Sequence, residues 1–190
     1  MSAPPQPRRS DKLMSQERLL EMINSGFCGR LATIGPDGYP YCVPLLYVWL
    51  EGAVYVHNTA APGHLRANVE HNDRVCFEID TAGAVFNYGR FECDSSVEYS
   101  SVILFGRVRV VQDEGSKALF CDALMAKYGR PDSGRPQGFY PRLKDITVYA
   151  IQAERMAGKE TPLPDVSEQW PAKDRTMTPH ARPHDRESTR

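Results

Sequence analysis

The residues best placed for chemistry lie in two short stretches. The first covers residues 54–73, VYVHNTAAPGHLRANVEHND. A strand-like run ends at His57, Asn58 and Thr59 follow with side-chain donors, and small residues lead to Pro62 and Gly63 before a helical pattern. A helix N-terminus offers unpaired N–H groups and a partial positive charge, so this arrangement suits a phosphate, with His64 and Arg66 adding donors in the first turn. A plain strand–helix connection with capping residues has the same pattern, and both readings stand. The second stretch is GYPYCVPLLYVWLEG, residues 38–52. A strand carrying Val43, Pro44, Leu45 and Tyr47 can lay its backbone along a flat heterocycle while apolar and aromatic groups cover a face. An ordinary core strand reads the same way. His57, His64 and His71 recur every seven residues, but a metal site needs at least three converging ligands, and the spacing does not supply them. No metal is expected. One site histidine and two surface ones are the favoured reading, with His57 the candidate for a catalytic role because it ends a strand where the pocket would open.

The elements that must hold these residues follow from hydrophobic period. Ser15 can cap a helix over 15–25, in which Leu19, Leu20, Met22 and Ile23 recur at helical spacing and which Gly26 can end. Strands are expected at 27–34, 41–50, 53–57, 73–80, 102–111 and 146–154. Gly35-Pro36-Asp37-Gly38 and Glu51-Gly52 supply turns. A short helix over 62–71 starts on Pro62, where a missing N–H costs nothing, and a longer one spans 114–128. Pro44 inside a strand marks an edge, a bulge or a ligand-facing position. Six antiparallel strands with few helices predict a mainly β protein built as a small barrel.

The 190 residues suffice for one domain with a core. The 23 Lys+Arg against 24 Asp+Glu give no bulk attraction to nucleic acid or to a membrane surface, and no apolar run is long enough to span a bilayer. Residues 1–12 read as a loose arm without a secretory hydrophobic region. Five scattered cysteines with no CxxC pair argue against a disulfide scaffold or structural zinc and predict the reducing cytoplasm. Residues 159–190 form a Pro-rich charged tail that cannot build its own core, with Trp170 as an anchor expected to be buried near the pocket that the two stretches would line. The Arg182–Arg186 stretch within it reads as solvated charge.

Taken in order, several segments resemble the FMN-binding split-barrel superfamily that includes pyridoxamine-phosphate oxidase, and within it the nitroimidazole-resistance branch. The segments are Gly29-Arg30-Leu31-Ala32-Thr33, Pro40-Tyr41-Cys42-Val43-Pro44-Leu45-Leu46-Tyr47-Val48 and Tyr55-Val56-His57 with Ala60 and Gly63. They continue with Asn72-Asp73-Arg74-Val75-Cys76-Phe77-Glu78, Tyr99-Ser100-Ser101-Val102-Ile103, Gly106-Arg107-Val108, Ile151 and Gly158-Lys159. The resemblance covers residues 13–159 and implies a six-stranded antiparallel split β-barrel. It implies a homodimer holding FMN at its interface, with deazaflavin, FAD or haem as lesser alternatives. By position, Val43, Pro44, Leu45 and Tyr47 meet the ring. His57, Asn58, Thr59, Gly63 and His64 serve the ribityl chain and phosphate, and Tyr99, Ser101 and Val102 come from near the cleft or the partner chain. Where the family usually carries Lys two residues after the glycine, Leu65 stands here, with His64 and Arg66 able to supply the charge. The implied activity is electron transfer from a reduced nicotinamide through FMN to a small acceptor. A non-catalytic flavin or haem module (sensor, carrier or store) is the alternative.

Overall fold

A computed structural model describes residues 8–130, 134, 136 and 138–170. Seven strands form one sheet in the order β2-β1-β5-β6-β7-β4-β3. They are β1 (Gly29–Ile34), β2 (Pro40–Leu45), β3 (Tyr47–Leu50), β4 (Ala53–Thr59), β5 (Arg74–Asn87), β6 (Ser95–Val111) and β7 (Ile146–Thr161). Only Leu46 separates β2 from β3, yet these strands stand at opposite ends of that order. The sheet must curl until its two edges meet, and because β2 and β3 are not hydrogen-bonded neighbours the resulting barrel is split. The count is seven rather than the expected six because the single strand expected over 41–50 is two. Inward and outward positions alternate through β2, and then Tyr47 and Val48 are buried in succession. A side-chain period of two cannot continue through such a step.

The three helices are α1 (Gln16–Ser25), α2 (His64–His71) and α3 (Glu114–Tyr128). The Ser15 hydroxyl accepts the Arg18 N–H at 3.1 Å and opens α1, whose Leu19, Met22 and Ile23 are buried. The Asp113 carboxylate accepts the Ser116 N–H at 2.7 Å and opens α3. Helix α2 begins at His64 after Gly63, so Pro62 lies before the cap and not in the first turn. Glu51 and Gly52 both have positive φ and make the tight two-residue turn from β3 to β4.

The chain divides into two compact units. The first, Met14–Asp80 with Val102–Gly158, contains the barrel. Its interior holds Leu31, Tyr47, Val56, Phe77, Leu104 and Tyr149, sealed by residues of α1 and α2. A second cluster, Val48, Val111, Val148 and Ala150 beneath Phe120 and Cys121, holds α3 on the outer face of β3, β4 and β7. The second unit, among the described residues, joins Thr81–Ser101 to residues 8–13 and 159–170. Here β5 and β6 run further than expected, to Asn87 and from Ser95, and β7 continues into the segment expected to be tail.

Strands β6 and β7 approach closely at Gly106. A Cβ there would lie 2.1 Å from the Gln152 carbonyl oxygen, a backbone atom that cannot swing aside. Gly106→Ala is expected to lower stability by about 1–3 kcal/mol, as overpacking in a fixed core does, read as a lower midpoint in urea at unchanged slope. A midpoint equal to that of the parent chain would mean the two strands separate readily.

Candidate functional site

The end of β4 separates residues that the sequence places side by side. Val56 pairs with Tyr149, His57 with Val148 and Asn58 with Thr147. Neighbouring strand residues point to opposite faces. Asn58 therefore shares the interior face with Tyr149, while the His57 ring lies 5.3 Å from Phe120 on the face covered by α3. Asn58 Oδ1, Tyr149 Oη and His57 Nδ1 are buried without hydrogen-bond partners. Burial lowers the His57 pKa below the ordinary imidazole value, so the ring is neutral at pH 7. Burial raises the Tyr149 hydroxyl and keeps it protonated. Strand alternation turns the His57 side chain to the face opposite that of Asn58.

Helix α2 presents an open N-terminus. Gly63 caps it without any side-chain acceptor, and a Cβ added there would meet nothing within 4 Å. The first helical bond runs from the Ala67 N–H to the Gly63 carbonyl, so the N–H groups of His64, Leu65 and Arg66 have no acceptor within the helix. Thr59 and His64 are both exposed. The His64 ring stacks on Tyr41 of β2, centroids 5.5 Å apart at 26°. The Arg66 guanidinium pairs with Glu70 one turn on. Leu65 points into the barrel core, which accounts for an apolar residue at that position. The helix is fixed to β1 by a buried hydrogen bond from Asn68 Nδ2 to Thr33 Oγ1 at 2.9 Å.

Strand β2 is a sheet edge, paired only with β1, and Pro44 stands exposed on it opposite Arg30. A proline fits there because an edge strand leaves one row of backbone groups unpaired. Val43 and Leu45 are half-buried and pack toward the core. Tyr47, expected to meet a ring, lies in the core of this chain. It has no exposed surface, and its hydroxyl donates to the Ile23 carbonyl at 2.7 Å. Val102 is likewise sealed in the core. Tyr99 and Ser101 are half-buried and belong to the second unit, where the Lys12 ammonium sits 5.6 Å from the Tyr99 ring centre. Half-buried Trp170 belongs to that same unit, where its backbone N–H donates to the Asn87 carbonyl at 2.8 Å. The Arg182–Arg186 stretch lies outside the described residues.

Two features have no sequence signature. The Tyr149 hydroxyl faces inward from an apolar strand, and only the pairing of β4 with β7 puts it beside Asn58. Lys127, in a helix end that reads as surface, holds its ammonium 3.8 Å from the Tyr47 ring centre with no hydrogen-bond acceptor, and burial lowers its pKa to about 8. Among the described residues no three or more His, Cys, Asp or Glu side chains gather as metal ligands, and no helix is long and apolar enough to cross a membrane.

Comparison with known proteins places this geometry. The fold matches that of a candidate 5-nitroimidazole antibiotic resistance protein of Bacteroides thetaiotaomicron at 20% identity, covering 77% of this chain and 85% of that one with a TM-score of 0.64. It matches a flavocytochrome of Azotobacter vinelandii at 19% identity, covering 86% and 77% with a TM-score of 0.70. It also matches an FAD- and haem-binding protein of Mycobacterium smegmatis at 18% identity, covering 83% and 78% with a TM-score of 0.67. No protein of curated function is significantly similar in sequence. The sequence model of the pyridoxamine 5'-phosphate oxidase family matches residues 15–160, which is the barrel and nearly all of its helices and strands. The chain belongs to the pyridoxamine 5'-phosphate oxidase family.

Proposed function

We propose that this protein is an FMN-dependent oxidoreductase that works as a homodimer and passes electrons from a reduced nicotinamide to a small acceptor, as a nitroimidazole reductase does. The observation that carries the reading is the uncapped N-terminus of α2, open over Gly63, set against the edge strand β2 by the stacking of His64 on Tyr41. Family membership and the fold shared with flavin-binding proteins support it.

The residues present fit the group. The unpaired N–H groups of α2 and the side chains of Thr59 and His64 suit the phosphate. Asn58 Oδ1, buried and unpartnered, is an acceptor for a ribityl hydroxyl. Val43, Pro44 and Leu45 on the free edge of β2 suit the ring, whose polar rim the strand backbone can read. FMN, when bound, supplies the electron-accepting chemistry, and the chain supplies binding, orientation and exclusion of water. The cytoplasm is the proposed compartment.

The purified protein is expected to be yellow, to release FMN on denaturation, and to bleach with a reduced nicotinamide and recover with a nitroimidazole. A Soret band in place of flavin absorbance, or a flavin that no nicotinamide reduces, would select a non-catalytic haem or flavin module. Changing Thr59 and His64 together to Ala removes two phosphate donors, each worth roughly 1.5–3 kcal/mol when charge-assisted. FMN affinity, read by fluorescence quenching, is expected to fall by about an order of magnitude or more. Undiminished affinity would place the phosphate elsewhere.

A further inference from the structure

At the end of the barrel where β4 finishes and β7 begins, the inward face turns polar. Asn58 pairs with Thr147 and Val56 with Tyr149, so Tyr149 stands diagonally from Asn58 on the same face, within reach of a long side chain. Tyr149 has no exposed surface and packs among the core residues, yet its hydroxyl meets no hydrogen-bond partner. Asn58 Oδ1 is buried and unpartnered as well. Arg66 and Glu70, paired with each other on α2, act on the Tyr149 hydroxyl from the helix that covers this end. Elsewhere in the same core such groups are satisfied. The Tyr47 hydroxyl donates to the Ile23 carbonyl, and Asn68 Nδ2 donates to Thr33 Oγ1. Two orphaned polar atoms side by side therefore need an explanation, because each is costly to leave unmet in a buried setting.

An amide oxygen can only accept, and a tyrosine hydroxyl kept protonated by burial donates. A single group that donates to Asn58 Oδ1 and accepts from Tyr149 Oη satisfies both, and an aliphatic hydroxyl is such a group. A phosphate oxygen brings no proton to Asn58, and an ammonium brings no lone pair to Tyr149. We propose that Tyr149 Oη and Asn58 Oδ1 together hold one hydroxyl of the ligand's polyol chain, so that the site selects a flavin carrying a ribityl chain. The inference rests on the flavin reading above and adds the residue that decides which chain on the flavin is accepted. Asn58 directly precedes Thr59, so a polyol chain whose phosphate lies against Thr59 and α2 brings its hydroxyls to this pair. A site built to hydrogen-bond a hydroxyl rejects the analogue that lacks it far more strongly than an apolar pocket rejects a lost methylene.

The test titrates the full chain, freed of flavin, with two probes: FMN, and a flavin phosphate in which a pentyl chain without hydroxyls replaces the ribityl chain. Fluorescence quenching reads both affinities. The unchanged chain is expected to bind FMN about 30-fold or more tightly than the pentyl probe. Tyr149→Phe keeps the ring and removes only the hydroxyl. It is expected to bind FMN about 10-fold more weakly and the pentyl probe as the unchanged chain does. Its urea midpoint without flavin is expected to be equal or higher, because an unpaired buried hydroxyl has gone. A merely structural tyrosine would not shrink the preference between the two probes. Equal loss for both probes, undiminished FMN affinity, or a lower urea midpoint overturns the assignment of Tyr149 and leaves the flavin reading standing. Undiminished FMN affinity is the result expected if a water molecule, and not the ligand, bridges the pair. If Tyr149→Phe does not fold, the unchanged chain decides, and equal affinity for the two probes overturns the inference. An unchanged chain that binds neither probe overturns the flavin reading and the inference together.

Discussion

Tyr47→Ala is expected to cost about 3–5 kcal/mol of folding stability, the range for removing a large aromatic side chain from a core that cannot collapse around the gap. Tyr47 has no exposed surface, meets Phe77 edge-on with ring centroids 5.0 Å apart, and carries the Lys127 ammonium over its ring. Its hydroxyl donates to the Ile23 carbonyl, one of the last four carbonyls of α1, which have no partner within the helix. Tyr47→Phe removes only that hydrogen bond and is expected to cost about 1 kcal/mol. Urea unfolding of both variants separates packing from capping. A loss below 1 kcal/mol for Tyr47→Ala, with altered flavin binding, would return Tyr47 to the ring-contacting role expected from the sequence.

Lys127→Met is expected to raise stability at pH 7 and to flatten its dependence on pH in the alkaline range. The Lys127 pKa falls from 10.5 to about 8 because burial penalises the ammonium. Below about 8 the folded and unfolded chains both hold the proton, so the penalty is fully present. Between about 8 and 10.5 the folded chain releases its proton first, the unfolded chain binds more protons, and stability rises with pH. Above that window it levels off. With solvent screening allowed for, the swing is about 2 kcal/mol. Attraction of the ammonium to the Tyr47 ring works the other way, at roughly 0.5–2 kcal/mol. Burial is expected to win because Nζ has no hydrogen-bond acceptor. Tyr47 and Tyr128, whose hydroxyls burial pushes up, border the same ammonium, so the difference between parent and variant isolates its contribution. Urea midpoints at pH 7 and pH 10 decide the matter. A Met variant less stable at pH 7 would show that the aromatic faces outweigh desolvation.

The helices were legible because their signals are local. Ser15 and Gly26 bound α1, and α3 spans the residues whose period announced it. The starts of β1, β2, β4, β5 and β7 were legible to within two residues for the same reason, and the Glu51-Gly52 turn fixed the β3–β4 register. The break at Leu46 was not, because no Gly, Pro or polar cluster interrupts LLYVWL and the step is forced by barrel closure. The outer reaches of β5 and β6 were missed because residues 81–85 are exposed throughout and show no alternation. The candidate site divides along the same line. Gly63, His64 and the edge position of Pro44 follow from turn and helix chemistry. The burial of Tyr47 and Val102 and the separation of His57 from Asn58 follow from which strands pair, and pairing over long separations leaves no local trace.

The pairing of β4 with β7 sets when this protein can become itself. Residues 53–59 lie against 146–152, and the Gln152 amide donates to the Gly52 carbonyl 100 positions away. The β1–β2 hairpin, closed by a short turn, can form as soon as it leaves the ribosome. The barrel cannot, because its central seam waits for β7, and the loop to be closed is long. Until then the inward faces of β4 and β6 have no cover. A nascent chain stalled before residue 146 therefore carries an apolar surface without its seal and is expected to depend on chaperones, while one released just beyond β7 has every strand it needs.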